Sequence, residues 1–287
     1  MIVCKFGGTS VQDAEAIART AQIIRGRLDR QPVVVVSALG GVTNELLDIA
    51  NRAATGNLLV ALALVESLRE RHLRTVATLL DGSAERNEIE ADVSAGLDEL
   101  AHLAEALSTL GFITPRSLDA VAAIGELLSS RIVAAAFRHR GIAAEWVDAR
   151  DVMITDEHFT RASPDTARIA SAARALVRPL VQAGRVPVLG GFVGATPSRI
   201  TTTLGRGGSD YSASLVGRSG PMSTACSRPI RASFPRRGSS SAFASTKLPN
   251  SPRSAPRCCI RARSRRPSIA VFPCTCSTRG APRARAR

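Results

Sequence analysis

The sequence is poor in aromatic residues: 3% of its 287 residues are Phe, Trp or Tyr, with one Trp and one Tyr. That scarcity argues against a platform for stacking nucleic-acid bases. Histidine is almost as rare. His72, His102, His139 and His158 show no HxxxH or related spacing, and none follows residue 158, so no role is assigned to them. Five of the six cysteines, Cys226, Cys258, Cys259, Cys274 and Cys276, lie late in the chain without the two-residue spacing of zinc knuckles. The sixth, Cys4, reads as a small buried strand residue. Metal binding by these groups is therefore not expected. The GxxxxGK[ST] spacing of a Walker A loop is absent as well. No charged-then-apolar leader and no apolar run of membrane-spanning length stand out, so a cytoplasmic chain without a membrane partner is expected.

Acidic residues are missing altogether from one region. Residues 218–287 hold 16 Lys or Arg and no Asp or Glu, which leaves 22 basic and 24 acidic residues in 1–217. The formal net charge of +14 thus belongs to the tail, and the front part has the balance of an ordinary enzyme. A tail of this charge raises a nucleic-acid-binding alternative through counterion release. With only Phe234, Phe243 and Phe272 as aromatics and no RGG or regular SR repeat, the tail gives no further support to it, and no nucleic-acid partner is expected. Rich in Ser, Pro, Arg and Ala and without sustained periodicity, residues 218–287 are expected to be disordered.

What is present in residues 1–217 is an alternation of strands and helices. Apolar runs at 2–6, 32–37, 143–147 and 186–189 read as strands. Helical patterns are expected at 11–28, 43–52, 59–80, 88–107, 117–138 and 167–183, and another begins after Gly207-Gly208-Ser209. Such alternation predicts a mostly parallel sheet covered on both faces, an α/β fold.

Two glycine-rich turns carry the chemistry. Lys5-Phe6-Gly7-Gly8-Thr9-Ser10 ends the first strand, where small residues let backbone N–H groups approach an anion and the following helix adds its positive end. Lys5 can reach transferring phosphoryl oxygens as a point charge; alternatively the segment is a plain strand-to-helix turn with a surface lysine. The second turn runs from Thr201 to Tyr211 (TTTLGRGGSDY). Arg206 offers a fork for a carboxylate or phosphate, and Asp210 can hold an ammonium or a metal-bound water, although Ser209 and Asp210 would also cap a helix. Glu126 lies in a helix-patterned segment, where a solvated face is the usual place for a carboxylate. Trp146 reads as core or sheet edge.

Four segments in order, KFGGTS (5–10), VSALGGVTN (36–44), GELLSSR (125–131) and GFVGATPSRITTTLGRGGSDYSASL (191–215), resemble the motif series of the aspartate kinases within the amino acid kinase family. The resemblance covers about residues 1–217 and implies a three-layer αβα sandwich, here truncated to the amino-terminal part of the kinase domain. It further implies ATP and Mg2+ as cofactors, L-aspartate and ATP as substrates, and a homo-oligomer in the intact family. Lys5 would neutralise the transferring phosphoryl group, and Gly7, Gly8 and Ser10 would cradle phosphate. Ser37 and Thr43 would contact aspartate, Glu126 its ammonium and Arg206 its α-carboxylate, while Asp210 would organise lysine, substrate and magnesium. The reaction implied is phosphorylation of the aspartate β-carboxylate to 4-phospho-L-aspartate, which leads to lysine, threonine and methionine.

The same family continues with IWTDVDG, TADP and KVLHP segments that contact nucleotide, and none appears here. Back-translated and read from the third base of the Arg218 codon with free synonymous choice, Ser219 to Pro235 can give IWTDVDGMLTADPRVVP. In that frame Lys247 to Arg261 can give EASELASFGAKVLHP and Ala270 to Ala281 RGIPVHVLNTRR. Residues 218–287 are accordingly expected to be an out-of-frame continuation of the same gene, and the chain to have little or no kinase activity. A non-catalytic fragment is the remaining alternative.

Overall fold

A computed structural model describes residues 1–218; the expectations of a disordered, out-of-frame tail lie outside the described residues. Four parallel strands form the central sheet: β1 (Ile2–Phe6), β2 (Pro32–Val36), β3 (Ala144–Val147) and β4 (Val186–Gly190), in the order β1-β2-β4-β3. Lys5 pairs with Val35 across β1 and β2, and Val36 with Gly190 across β2 and β4. All of β2 (PVVVV) is buried, as a strand covered on both faces must be.

Alternation along these strands separates two apolar layers. Cys4, Phe6, Val34, Val36 and Val188 pack with helices α1 (Ala14–Arg25), α2 (Val42–Ala54), α3 (Leu58–Leu79), α4 (Arg86–Leu110) and α5 (Pro115–His139). Val33, Val147 and Leu189 pack on the other face with α7 (Thr166–Ala172), α8 (Arg178–Gln182) and α9 (Gly208–Arg218). A short α6 (Ala149–Val152) follows β3. The expected αβα layering is present.

Local chemistry sets the helix ends. The Asp13 carboxylate accepts the Ala16 N–H at 2.7 Å, so α1 starts later than the apolar pattern does. Thr114 and Ser117 form a reciprocal capping box, with Pro115 in the first turn of α5. Helix α5 departs from one expectation: it is long and apolar enough to cross a membrane. Yet 83% of its apolar window is buried within the protein, which makes it the central core helix.

The expected single helix at 167–183 is interrupted. Between α7 and α8 the segment Ala173–Val177 takes a π turn. Pro179 has no N–H for the ladder and its ring crowds the carbonyl four residues earlier, so the turn before it widens. The sequence reading also missed an antiparallel hairpin, β5 (Val193–Ala195) with β6 (Thr201–Thr203). Trp146 is on the edge strand β3, where Arg131 stacks on it at 4.1 Å and Ser130 accepts its indole N–H at 3.0 Å. Cys4 is buried, as expected.

Candidate active site

The turns after β1, β2 and β4 leave the same edge of the sheet, because the strands are parallel. The first two pack directly on each other: a Cβ added to Gly8 would lie 3.3 Å from the Ala38 carbonyl oxygen. Arg71 of α3 pins the second turn by donating to the Gly40 carbonyl at 2.5 Å and pairing with Glu45 at 3.1 Å.

At this edge opens a cleft of about 470 Å3, with Lys5, Thr43, Glu126, Arg206 and Asp210 among its lining residues. Five residues selected from distant stretches of sequence thus share one cavity. Ser37 is not among the lining residues but donates from its hydroxyl to that of Ser209, which is, at 3.2 Å. Gly7 lies beneath Lys5, since a Cβ there would be 3.6 Å from the ammonium. Ser10 spends its backbone N–H on the Gly7 carbonyl at 2.8 Å, so its hydroxyl is what it can offer an anion.

Lys5 Nζ meets Asp210 Oδ1 at 3.0 Å; the side chains are 22% and 71% exposed. A pair this open contributes about 1 kcal/mol or less to stability. Lys5→Ala and Asp210→Asn are therefore expected to move the urea unfolding free energy by no more than about 1 kcal/mol, whatever they do to ligand binding. A loss several times larger in equilibrium unfolding would show the pair to be structural.

Glu126 does not occupy the solvated face usual for a helical carboxylate. It is 3% exposed, and its Oε2 has no hydrogen-bond partner. Burial pushes its carboxyl up to about 8, with the Ala38 backbone N–H pulling the other way. A buried carboxyl with one unpartnered oxygen, lining a cavity, suits an incoming ammonium. The rest of its motif is structural: Ser129 donates to the Ser37 carbonyl at 2.8 Å, while Ser130 and Arg131 hold Trp146.

Arg206 sits in a turn between Gly205 (φ +72°) and Gly207 (φ +78°), conformations that disfavour other residues. It is exposed and has no ion-pair partner among the described residues. The sequence reading overlooked Asp119, Thr160, Phe192 and Thr203, which also line the cleft. Asp119 was within reach: it precedes Glu126 by two helical turns and so shares its face. No group of three or more His, Cys, Asp or Glu that could hold a metal exists among the described residues. Of the carboxyl groups lining the cleft, Asp210 is the exposed one, and magnesium carried on nucleotide phosphates commonly takes only one or two protein carboxylates.

The amino acid kinase family matches residues 1–219. Lysine-sensitive aspartokinase 3 of Escherichia coli (strain K12) is 34% identical over 216 residues, covering 75% of this chain and 46% of that protein. Aspartokinase of Chlamydia trachomatis serovar D is 38% identical over 216 residues, covering 75% and 45%. Among solved structures, E. coli aspartokinase III with lysine and aspartate gives a TM-score of 0.69 at 34% identity, over 76% of this chain and 47% of that one. The same enzyme with aspartate and ADP gives 0.66 at 33% identity, over 76% and 46%. The chain spans about half the length of these relatives.

Proposed function

The chain belongs to the amino acid kinase family, and from that premise we propose that residues 1–217 are the aspartate-binding and phosphate-binding part of an aspartate kinase. The observation that carries this reading is the shared cleft, in which a buried carboxyl, an unpaired guanidinium and a lysine–aspartate pair face one cavity. Glu126 receives the substrate ammonium, Arg206 its α-carboxylate, and Ser37 and Thr43 add hydroxyl contacts. These charges hold the β-carboxylate towards Lys5.

The reaction needs no general base, because the β-carboxylate is ionised at neutral pH. Its oxygen forms a bond to the γ-phosphorus of ATP as the bond to the β-phosphate oxygen breaks, giving 4-phospho-L-aspartate and ADP. Lys5 neutralises the phosphoryl oxygens, held in place by Asp210, and the Gly7–Gly8 turn with the Ser10 hydroxyl receives phosphate. Magnesium bound with the nucleotide supplies charge neutralisation of the phosphates. The product serves lysine, threonine and methionine synthesis, and the intact enzyme is a cytoplasmic homo-oligomer.

Residues 218–287 lack the nucleotide-contacting segments described above, so the purified 287-residue chain is expected to bind L-aspartate while turning over little or no ATP. Calorimetry with L-aspartate and an assay of magnesium-dependent ADP release test the two halves separately. Rapid aspartate-dependent turnover would refute the expected inactivity. No detectable aspartate binding at millimolar concentration would refute the assigned substrate.

A further inference from the structure

Asp119 and Glu126 are the two buried carboxylates among the described residues, both on α5 and about 10 Å apart along its axis. They are used differently. Whereas Glu126 has an unpartnered oxygen, Asp119 accepts three hydrogen bonds: from the Thr160 N–H at 2.8 Å, the Thr203 N–H at 3.0 Å and the Thr203 hydroxyl at 2.6 Å. No Lys or Arg pairs with it among the described residues. A buried carboxylate held by neutral donors alone makes charge-assisted bonds, stronger than a neutral side chain would make to the same groups.

Those donors lead to Arg206. Thr160 has φ +69°, a left-handed conformation that is strained for a β-branched residue and needs surrounding contacts to persist. Its carbonyl oxygen is 3.1 Å from where a Gly205 Cβ would stand, so the Thr160 loop abuts the turn that presents Arg206. The Ala162 N–H donates to the Thr203 carbonyl at 2.9 Å and closes the connection.

We propose that Asp119 is a positioning residue that ties the Arg206 turn to the helix bearing Glu126, and so sets the spacing of the two charges that read the ammonium and carboxylate of an α-amino acid. The selection of such a ligand rests on the function proposed above; the anchoring of the turn does not. Asparagine can keep the geometry, turning its amide oxygen to the two N–H groups and its NH2 to the Thr203 hydroxyl. Alanine leaves all three donors without their acceptor.

The test combines hydrogen exchange on the free chain with calorimetry against L-aspartate and, as a contrast, inorganic phosphate. Asp119→Ala is expected to speed amide exchange about tenfold or more at 159–162 and 203–208, with α2–α4 unchanged, and to weaken aspartate binding by at least about tenfold. Phosphate affinity stays within about threefold of wild type, and Asp119→Asn recovers most of both losses. If Asp119→Ala does not fold, Thr203→Val, which removes only the hydroxyl donor, is expected to show the same local pattern at about threefold. Faster exchange spread over α2–α4, unchanged exchange at both segments, or equal losses for aspartate and phosphate each overturn the proposal. If the wild-type chain binds no aspartate, the function proposed above falls with the ligand selection, and the exchange pattern alone decides whether Asp119 anchors the turn.

Discussion

At pH 9 the Glu126→Gln variant is expected to resist urea better than the wild-type chain, and in calorimetry to have lost at least about a hundredfold in aspartate affinity. Both effects come from one buried carboxyl. In the folded chain its pKa is pushed to about 8 from an ordinary 4.5, with burial the leading cause. Below pH 4.5 the group is protonated whether folded or unfolded and nothing is lost. As pH rises through the window from 4.5 to 8 the unfolded chain ionises it freely while the folded chain keeps the proton, so stability falls, and above about 8 the loss levels off. At 1.36 kcal/mol per pH unit the full loss is on the order of 4–5 kcal/mol. Glutamine has no such titration, so urea midpoints of the two chains should converge near pH 4.5 and separate steadily towards pH 9. Parallel midpoints across that range would show that Glu126 ionises freely in the folded chain.

The affinity loss follows from the same geometry. An ammonium entering the cleft stabilises the ionised carboxyl, so aspartate binding at pH 7 should release close to one proton from Glu126. The calorimetric heat should therefore vary with the ionisation enthalpy of the buffer for wild type and not for Glu126→Gln. Glutamine removes the charge that the ammonium needs while keeping nearly the same volume, which separates electrostatics from packing.

Gly191→Ala is expected to damage both stability and binding through a single added methyl. Gly191 follows β4, and its N–H donates to the Val36 carbonyl at 2.7 Å. A Cβ there would lie 2.7 Å from Ser209 Cβ and 2.8 Å from Ser209 Cα. Those are backbone-proximal atoms with no flexible tip to move, so the start of α9 must shift. That start carries Asp210, which holds Lys5, and Ser209, which accepts from Ser37. A loss of about 1–3 kcal/mol in stability is expected, together with aspartate binding at least about tenfold weaker. Gly82→Ala is the control. Its φ of +70° costs about 1–2 kcal/mol, but nothing lies within 4 Å of the added methyl, so aspartate affinity should be unchanged. Equal binding losses for the two variants would disconnect the Gly191–Ser209 contact from the site.

Legibility of the site depended on the residue. Lys5, Arg206 and Asp210 stand in glycine turns whose local chemistry already suggests an anion site, and the structure brings all three to one cleft. Ser10 was legible as part of the first turn, but not that its N–H is consumed there by Gly7. Glu126 stood out only through its motif, since a helical carboxylate is ordinarily solvated. Asp119 carried no turn signal, and only its position on the face of Glu126 hinted at it.

By itself the sequence determined the strand and helix alternation, the parallel sheet and the two glycine turns, because periodicity and turn chemistry depend on neighbours in the chain. Only the tertiary structure decided that Glu126 is buried beside a cavity and that Asp119 joins the cleft. Desolvation and hydrogen bonding depend on which distant segments meet, and Asp119 finds its donors 41 and 84 residues along the chain, at Thr160 and Thr203.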